Sequence, residues 1–336
     1  MRIGLTFDLQ EEHSTETGVP ADAFSEFDTE ESIAYLEEAL ASLGYEVQRI
    51  GNVHKLVAFL AQDDDVDIIF NMAEGMHGRS RESQVPCLLE AHRIPYVGSD
   101  PLTLALCLDK AMAKTVWRAA GLPTPGFAVI SQPEALHGTD NGLPPLPLFV
   151  KPLHEGTSKG IGPESVVQTR AALEQRVAWI ARTYKQPALV EAFLPGREYS
   201  VGILGNRAQA YVIGVTEIRE RSRYGVVGYA EKQRWGHDLE GVFRPVERGP
   251  LWTQLATLAL RAYTLAGCRD LGRVDLRCDA EGAPQILEIN PIVGLHPTGS
   301  VMPIIATQAG MSFETLIGRI VTHAIERYEE VGSHVF

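Results

Sequence analysis

The sequence predicts an α/β protein, α+β overall, with a parallel sheet at its N-terminus and a strand hairpin near its C-terminal end. Three observations predict this. Residues 2–72 alternate strand and helix patterns in the order β-α-β-α-β, which implies a parallel sheet covered by helices. Leu271–Asn290 holds two alternating runs around a turn rich in Asp, Glu and Gly, a hairpin signal. The chain has 336 residues, enough for two or three domains with sizeable cores.

Composition narrows the function classes. A net charge of −13 argues against general nucleic-acid binding, which needs Lys and Arg to neutralise phosphate, yet leaves room for a local nucleotide site. No run approaches the roughly 20 apolar residues of a membrane span. The apolar stretch Ile3–Phe7 ends at Asp8, too short for a signal peptide. Cys87, Cys107, Cys268 and Cys278 lack metal-ligand spacing, so a reducing, cytoplasmic setting fits.

In chain order, residues 2–7 read as a strand and 10–27 as a polar loop. Asp28 or Thr29 caps a helix with the stripe Ile33, Leu36, Leu40 and Leu43. Residues 46–50 and 66–72 are strands around a helix at 53–61. Ligands of such sheets sit beyond the carboxyl ends of strands, near Phe7–Asp8 and Asn71–Gly75. The next loop carries Glu74, Arg79 and Arg81 as candidate substrate-binding residues. Arg79 or Arg81 would meet a substrate carboxylate, unless the loop is simply solvated. Helices follow at 84–92, after Asp100-Pro101, and at 109–120, where Lys110 and Lys114 share a face. Residues 127–130 and 148–152 are strands. Glu155-Gly156-Thr157-Ser158-Lys159-Gly160 is a Gly-rich turn whose N–H groups can approach phosphates, although no Walker A motif occurs. A helix at 169–184 and strands at 188–192, 198–204 and 211–217 come next. Arg219–Trp235 is locally basic, either a solvated loop or a lid over an anionic substrate. Helices at 249–266, 303–309 and 312–329 complete the pattern.

The hairpin carries the chemistry. Alternation puts Arg273, Asp275 and Arg277 on one face of its first strand, and Glu288 and Asn290 on one face of its second. A turn centred near Glu281 or Gly282 sets Asp275 opposite or close to Glu288, and Arg273 near Asn290. Val274, Leu276, Leu287 and Ile289 point into a core. The carboxylates suit Mg²⁺, which keeps waters and takes further ligands from phosphates. The arginines suit phosphate oxygens or a developing oxyanion. The bland alternative is a solvated, charged face. The loop 291–300 that follows, with Gly294 a candidate substrate contact, weighs toward function.

With these residues in hand, the chain resembles the D-alanine–D-alanine ligase family of the ATP-grasp superfamily. The resemblance runs from about Asp67 to Glu329 and is strongest from Leu148. It is carried by Leu108-Asp109-Lys110, Val150-Lys151-Pro152, Glu155–Ser158, Val190-Glu191, Gly196-Arg197-Glu198, Tyr229–Lys232, Gly272–Asp275, Leu287–Asn290 and Gln308–Phe313. It implies an ATP-grasp fold with a Rossmann-like domain at 1–97 and two units, 98–187 and 188–336, that clamp ATP. It further implies that Lys110, Lys151, Ser158, Glu191 and Glu198 bind ATP, with Glu191 at the adenine and Glu198 at the ribose. Lys232 would meet the γ-phosphate. Asp275, Glu288 and Asn290 would hold two Mg²⁺, with Mn²⁺ as a substitute. Arg273 would stabilise the tetrahedral intermediate, and Ser300 and Thr157 would stand at the family's catalytic serines.

The implied activity is an ATP-dependent carboxylate–amine ligase that joins amino acids, or an amino acid to a small acceptor, through an acyl phosphate. The implied setting is a homodimer working on small molecules, with neither nucleic acid nor membrane as partner. The family usually has His-Gly-x-x-Gly-Glu-Asp-Gly where this chain has Glu74–Arg81, and a Tyr where it has Gln233. Thr157 replaces a serine, and the family's N-terminal glutamate matches either Glu30 or Glu31. All four departures fall on the amino-acid side, pointing to a substrate other than D-alanine. The alternatives are a peptidoglycan D-alanine–D-alanine ligase, a small-acid kinase, and a nucleotide-binding protein without turnover.

Overall fold

The computed structural model describes residues 1–13, 18–62, 65–136, 142–219 and 239–331. Strands β1 (Arg2–Thr6), β2 (Glu46–Arg49), β3 (Ile68–Asn71) and β4 (Tyr96–Val97) form a parallel sheet in the order β2-β1-β3-β4. Side chains alternate across it. Ile68 and Phe70 join the core under α1 (Glu30–Ser42), whereas Ile69 packs with residues of α2 (Val53–Leu60) and α3 (Gln84–His92) on the other face. Thr29 caps α1 by accepting the Ser32 N–H at 3.2 Å. Leu43, expected in the α1 stripe, lies past the helix end and is exposed. Thr29→Ala is expected to cost about 1 kcal/mol of stability, the usual worth of such a cap, read from the shift of a denaturant midpoint.

The second sheet is antiparallel. It runs β5 (Phe127–Ile130), β8 (Ala188–Ala192), β6 (Leu148–Pro152), β7 (Val166–Val167), with α6 (Arg170–Tyr184) packed on it. The helices α4 (Pro101–Leu108) and α5 (Lys110–Ala119) precede it. The expected division at 187/188 detaches β8 from this sheet, but the run Ala188–Val190 is fully buried between β5 and β6.

The third sheet has the order β11-β10-β9-β12-β13, from β9 (Glu198–Leu204), β10 (Tyr211–Ile218), β11 (Phe243–Pro245), β12 (Leu271–Cys278) and β13 (Pro284–Asn290). The one-turn α7 (Leu239–Val242) leads into β11, and α8 (Pro250–Ala266) covers one face with Leu255, Ala259 and Tyr263. The hairpin register pairs Arg273 with Asn290 and Asp275 with Glu288, as the alternation predicts. A bulge follows, so that Leu276 pairs with Ile286. The bulge turns Leu287 to the site side and puts Ile286 in the core, correcting the inward orientation expected of Leu287.

Helix α9 (Val301–Gln308) starts two residues earlier than predicted, with Pro303 tolerated in its first turn. The last helix, α10 (Phe313–Val331), buries Leu316, Ile317, Ile320 and Val321 in the same core as β1, β3 and α1. The chain's C-terminal end thereby covers its N-terminal sheet, which a local pattern does not reveal. Buried Asp270 reinforces the join, accepting the Gly98 N–H at 2.8 Å and pairing with Arg327 at 2.7 Å.

Candidate active site

The face shared by β12 and β13 holds a tight polar set. Arg273 donates from Nε and Nη2 to the Asp275 carboxylate, each at 2.9 Å. Ser200 Oγ donates to Asp275 at 2.5 Å and Asn290 Nδ2 at 3.0 Å. Glu288 lies 3.7 Å from the Lys110 ammonium and 3.8 Å from that of Lys151. Burial works against the charge on Arg273, but Asp275 outweighs it and raises the guanidinium pKa.

Beside this face lies a second charged group. Glu191 is buried between Lys114 at 2.6 Å and Lys151 at 3.1 Å. Burial alone would push the Glu191 carboxyl up; the two lysines outweigh it and hold it below the usual range. For Lys114 burial wins over Glu191 and pushes the ammonium down to about 8. Lys114 also donates to Thr124 and to the Ile286 carbonyl. It was absent from the candidate site, although its shared face with Lys110 was the available signal. Glu198 pairs with Arg277 at 3.0 Å. Phe149, Phe193, Leu194 and Leu287 give this region apolar walls.

The Gly-rich turn lies against both groups. Thr157 and Ser158 take φ of 44° and 61°, a left-handed backbone that side chains disfavour and that recurs at functional sites. The Gly156 N–H donates to Glu26, and a Cβ at Gly156 would come within 2.7 Å of that carboxylate. Glu26 is held by Arg81 at 2.8 Å and Lys159 at 3.2 Å. Two acids of the N-terminal segment thus reach this turn, Glu26 at Gly156 and Asp22, which accepts the Gly160 N–H at 2.8 Å. Glu30 pairs with Arg49, and Glu31 lies 3.4 Å from His296.

Arg79 and Arg81 are engaged within the fold. Arg79 pairs with Asp109 at 2.7 Å, and Arg81 also donates to the His154 carbonyl at 2.8 Å. Neither is among the residues that line the two cavities of the site. Their loop turns at Gly75, whose φ of 69° and 2.6 Å Cβ approach to the Arg81 carbonyl exclude a side chain.

Two adjoining cavities result. The first is lined by Lys151, Ser158, Glu191 and Glu198 with the apolar walls. The second, of 640 Å³, is lined by Glu74, Lys110, Asn290, Gly294 and Ser300 among others. Thr157, Arg273 and Glu288 line both. Ser300 occupies the N-cap position of α9 without a side-chain capping bond, and its Oγ accepts the His296 N–H at 3.1 Å. Lys232 and nearly all of the expected lid 219–235 lie outside the described residues.

The profile of the D-ala D-ala ligase C-terminus matches residues 116–322. A D-alanine–D-alanine ligase of Alcanivorax borkumensis is 37% identical over 254 residues, covering 75% of this chain and 76% of that protein. The chain belongs to the D-alanine–D-alanine ligase family. It is accordingly an ATP-grasp carbon–nitrogen ligase, an ADP-forming enzyme that joins a carboxylate to an amine at the expense of ATP. An uncharacterized protein of Sinorhizobium fredii is 36% identical over 267 residues, covering 78% of this chain and 75% of the relative. The solved D-alanine–D-alanine ligase of Bacillus anthracis complexed with ATP shares the fold at a TM-score of 0.70 and 20% identity, over 99% of this chain and 100% of that one.

The donor set would suit a divalent ion such as Mg²⁺. Among the described residues no three His, Cys, Asp or Glu side chains could enclose a metal by themselves. Two facing carboxylates with an amide oxygen between two cavities are what Mg²⁺ needs when phosphates and water complete its shell. No helix among the described residues is long and apolar enough to cross a membrane.

Proposed function

We propose that the apolar-walled cavity binds Mg²⁺-ATP, that the 640 Å³ cavity binds the condensing substrates, and that reaction occurs on the wall they share. The observation that carries this reading is that shared wall, where Thr157, Arg273 and Glu288 face both spaces. Lys151 and Lys110 orient the phosphates, and Glu191 and Glu198 hold the adenine and ribose ends. Asp275, Glu288 and Asn290 hold Mg²⁺, which when bound neutralises phosphate charge. A substrate carboxylate attacks the γ-phosphorus and ADP leaves. A neutral amine then attacks the acyl carbon; Arg273 faces the oxyanion, and phosphate and a proton depart. Such transfer needs positioned charge more than covalent help. Ser300, at the N-terminus of α9, is suited to a substrate carboxylate. The functional units are 1–97, 98 to the Leu194-Pro195-Gly196 turn, and the remainder, working as a cytoplasmic homodimer.

The test is ADP release with Mg²⁺-ATP across D- and L-amino acids, singly and in pairs, with product masses. The expected result is amino-acid-dependent ADP release with an amide product. A D-alanyl-D-alanine product would match the activity in the names of its relatives. ADP release indifferent to amino acids, or a stable phosphorylated acid, would overturn the ligase reading of this site.

A further inference from the structure

The charges around the larger cavity do not balance. Its cations are committed: Arg273 lies on Asp275, while Lys110 donates to the Glu155 carbonyl and faces Glu288. Of its carboxylates, Glu26 is neutralised by Arg81 and Lys159. Asp28, Glu74 and Glu82 also line the cavity, and among the described residues none has a hydrogen-bonding or ion-pair partner for its carboxylate. Glu82 is only 8% exposed. Leaving such a group ionised and unpaired is costly. Burial pushes the Asp28 and Glu82 carboxyls up to about 7 and Glu74 well above its ordinary value; nearby carboxylates add to each, Asp8 for Asp28, Glu26 and Glu155 for Glu82, and Glu82, Glu26 and Asp28 for Glu74. Of the arginines in this loop, Arg79 pairs with Asp109, and Arg81 with Glu26.

We propose that Asp28, Glu74 and Glu82 form a subsite for a cationic group, a primary ammonium or guanidinium, carried by one of the condensing substrates in addition to its reacting groups. The proposal rests on the reading of this cavity as the amino-acid site. An ammonium can pair with two of these carboxylates at once, and a guanidinium, whose five donors spread over a planar fork, can reach further. A metal is the poorer occupant, because among the described residues no three acidic, His or Cys side chains converge on one ion position.

The experiment compares each cationic amino acid with its uncharged counterpart: lysine with norleucine, ornithine with norvaline, arginine with citrulline. Both enantiomers are tested on the full chain. Binding is measured by calorimetry with a non-hydrolysable ATP analogue, and turnover by ADP release. At least one cationic member should exceed its counterpart by about 10- to 100-fold, the range of a charge-assisted contact. In Glu82→Gln and Glu74→Gln that ratio should fall to within about threefold of one.

Folding of Glu82→Gln is checked by melting. Arg81 and Lys110 lower the Glu82 pKa, and Glu26 and Glu155 raise it; burial dominates and sets it near 7. A raised folded pKa makes the ionised form destabilising above it, so the variant should melt higher than the wild type at pH 8. The gap should close as pH falls toward the unfolded carboxyl value of about 4.3. Equal binding of every charged and uncharged pair by the wild type, or an unchanged ratio in both variants, would overturn the subsite. Preferential binding of a cation without amino-acid-dependent ADP release would keep the subsite and reject the ligase reading; the reverse pattern would do the opposite.

Discussion

Glu288→Gln is expected to abolish ADP formation while leaving the fold intact. The substitution keeps the side chain's size and its place opposite Asp275, and removes one negative charge. That charge has two uses. It supplies one of only two carboxylates on the face proposed for Mg²⁺, and it faces the ammonium groups of Lys110 and Lys151 at 3.7 and 3.8 Å. Metal stabilisation of a phosphoryl-transfer transition state is worth several kcal/mol, so the loss should be on the order of 10³-fold or more in kcat. The check is steady-state ADP release at saturating ATP, with a Mg²⁺ titration and a melting curve. A variant within tenfold of the wild type would remove Glu288 from the metal set and leave Asp275 and Asn290 to hold the ion by other means. A variant that loses activity and melting temperature together would show that the lysines need this carboxylate to fold.

That Glu288 could be singled out follows from what a strand encodes locally. Alternation and a turn rich in Asp and Gly determine which hairpin residues face each other, and both register pairs at the site were legible. One residue later the reading fails, because nothing local announces the bulge that turns Leu287 outward. Long-range ion pairs were equally hidden. Arg79 and Arg81 read as cations offered to a substrate, since their partners Asp109 and Glu26 lie in distant segments. Glu26 sits in a polar stretch without periodicity, and only its contacts across the cleft show that it supports the Gly-rich turn. Nothing local in the sequence marks Glu82; its importance is its burial, which depends on the whole fold.

Arg273→Ala is expected to lower kcat by about 10²–10³, the usual cost of losing an oxyanion donor, with a much smaller change in KM for ATP. The guanidinium is aimed by a bidentate contact with Asp275, which is itself fixed by Ser200 and Asn290. That chain of contacts fixes the orientation before substrate arrives, so little reorganisation remains for the transition state. Two steps could depend on Arg273, and isotope exchange separates them. Transfer of ¹⁸O between the bridging and non-bridging positions of ATP reports reversible acyl-phosphate formation, whereas amide release reports the second step. Should Arg273 serve the tetrahedral intermediate, exchange persists in the alanine variant while amide formation falls. Should both fall together, its charge serves phosphoryl transfer instead. Arg273→Lys discriminates further. A lysine restores positive charge without the planar fork, so partial rescue of exchange with poor rescue of amide release would show that geometry, beyond charge, is what Asp275 enforces.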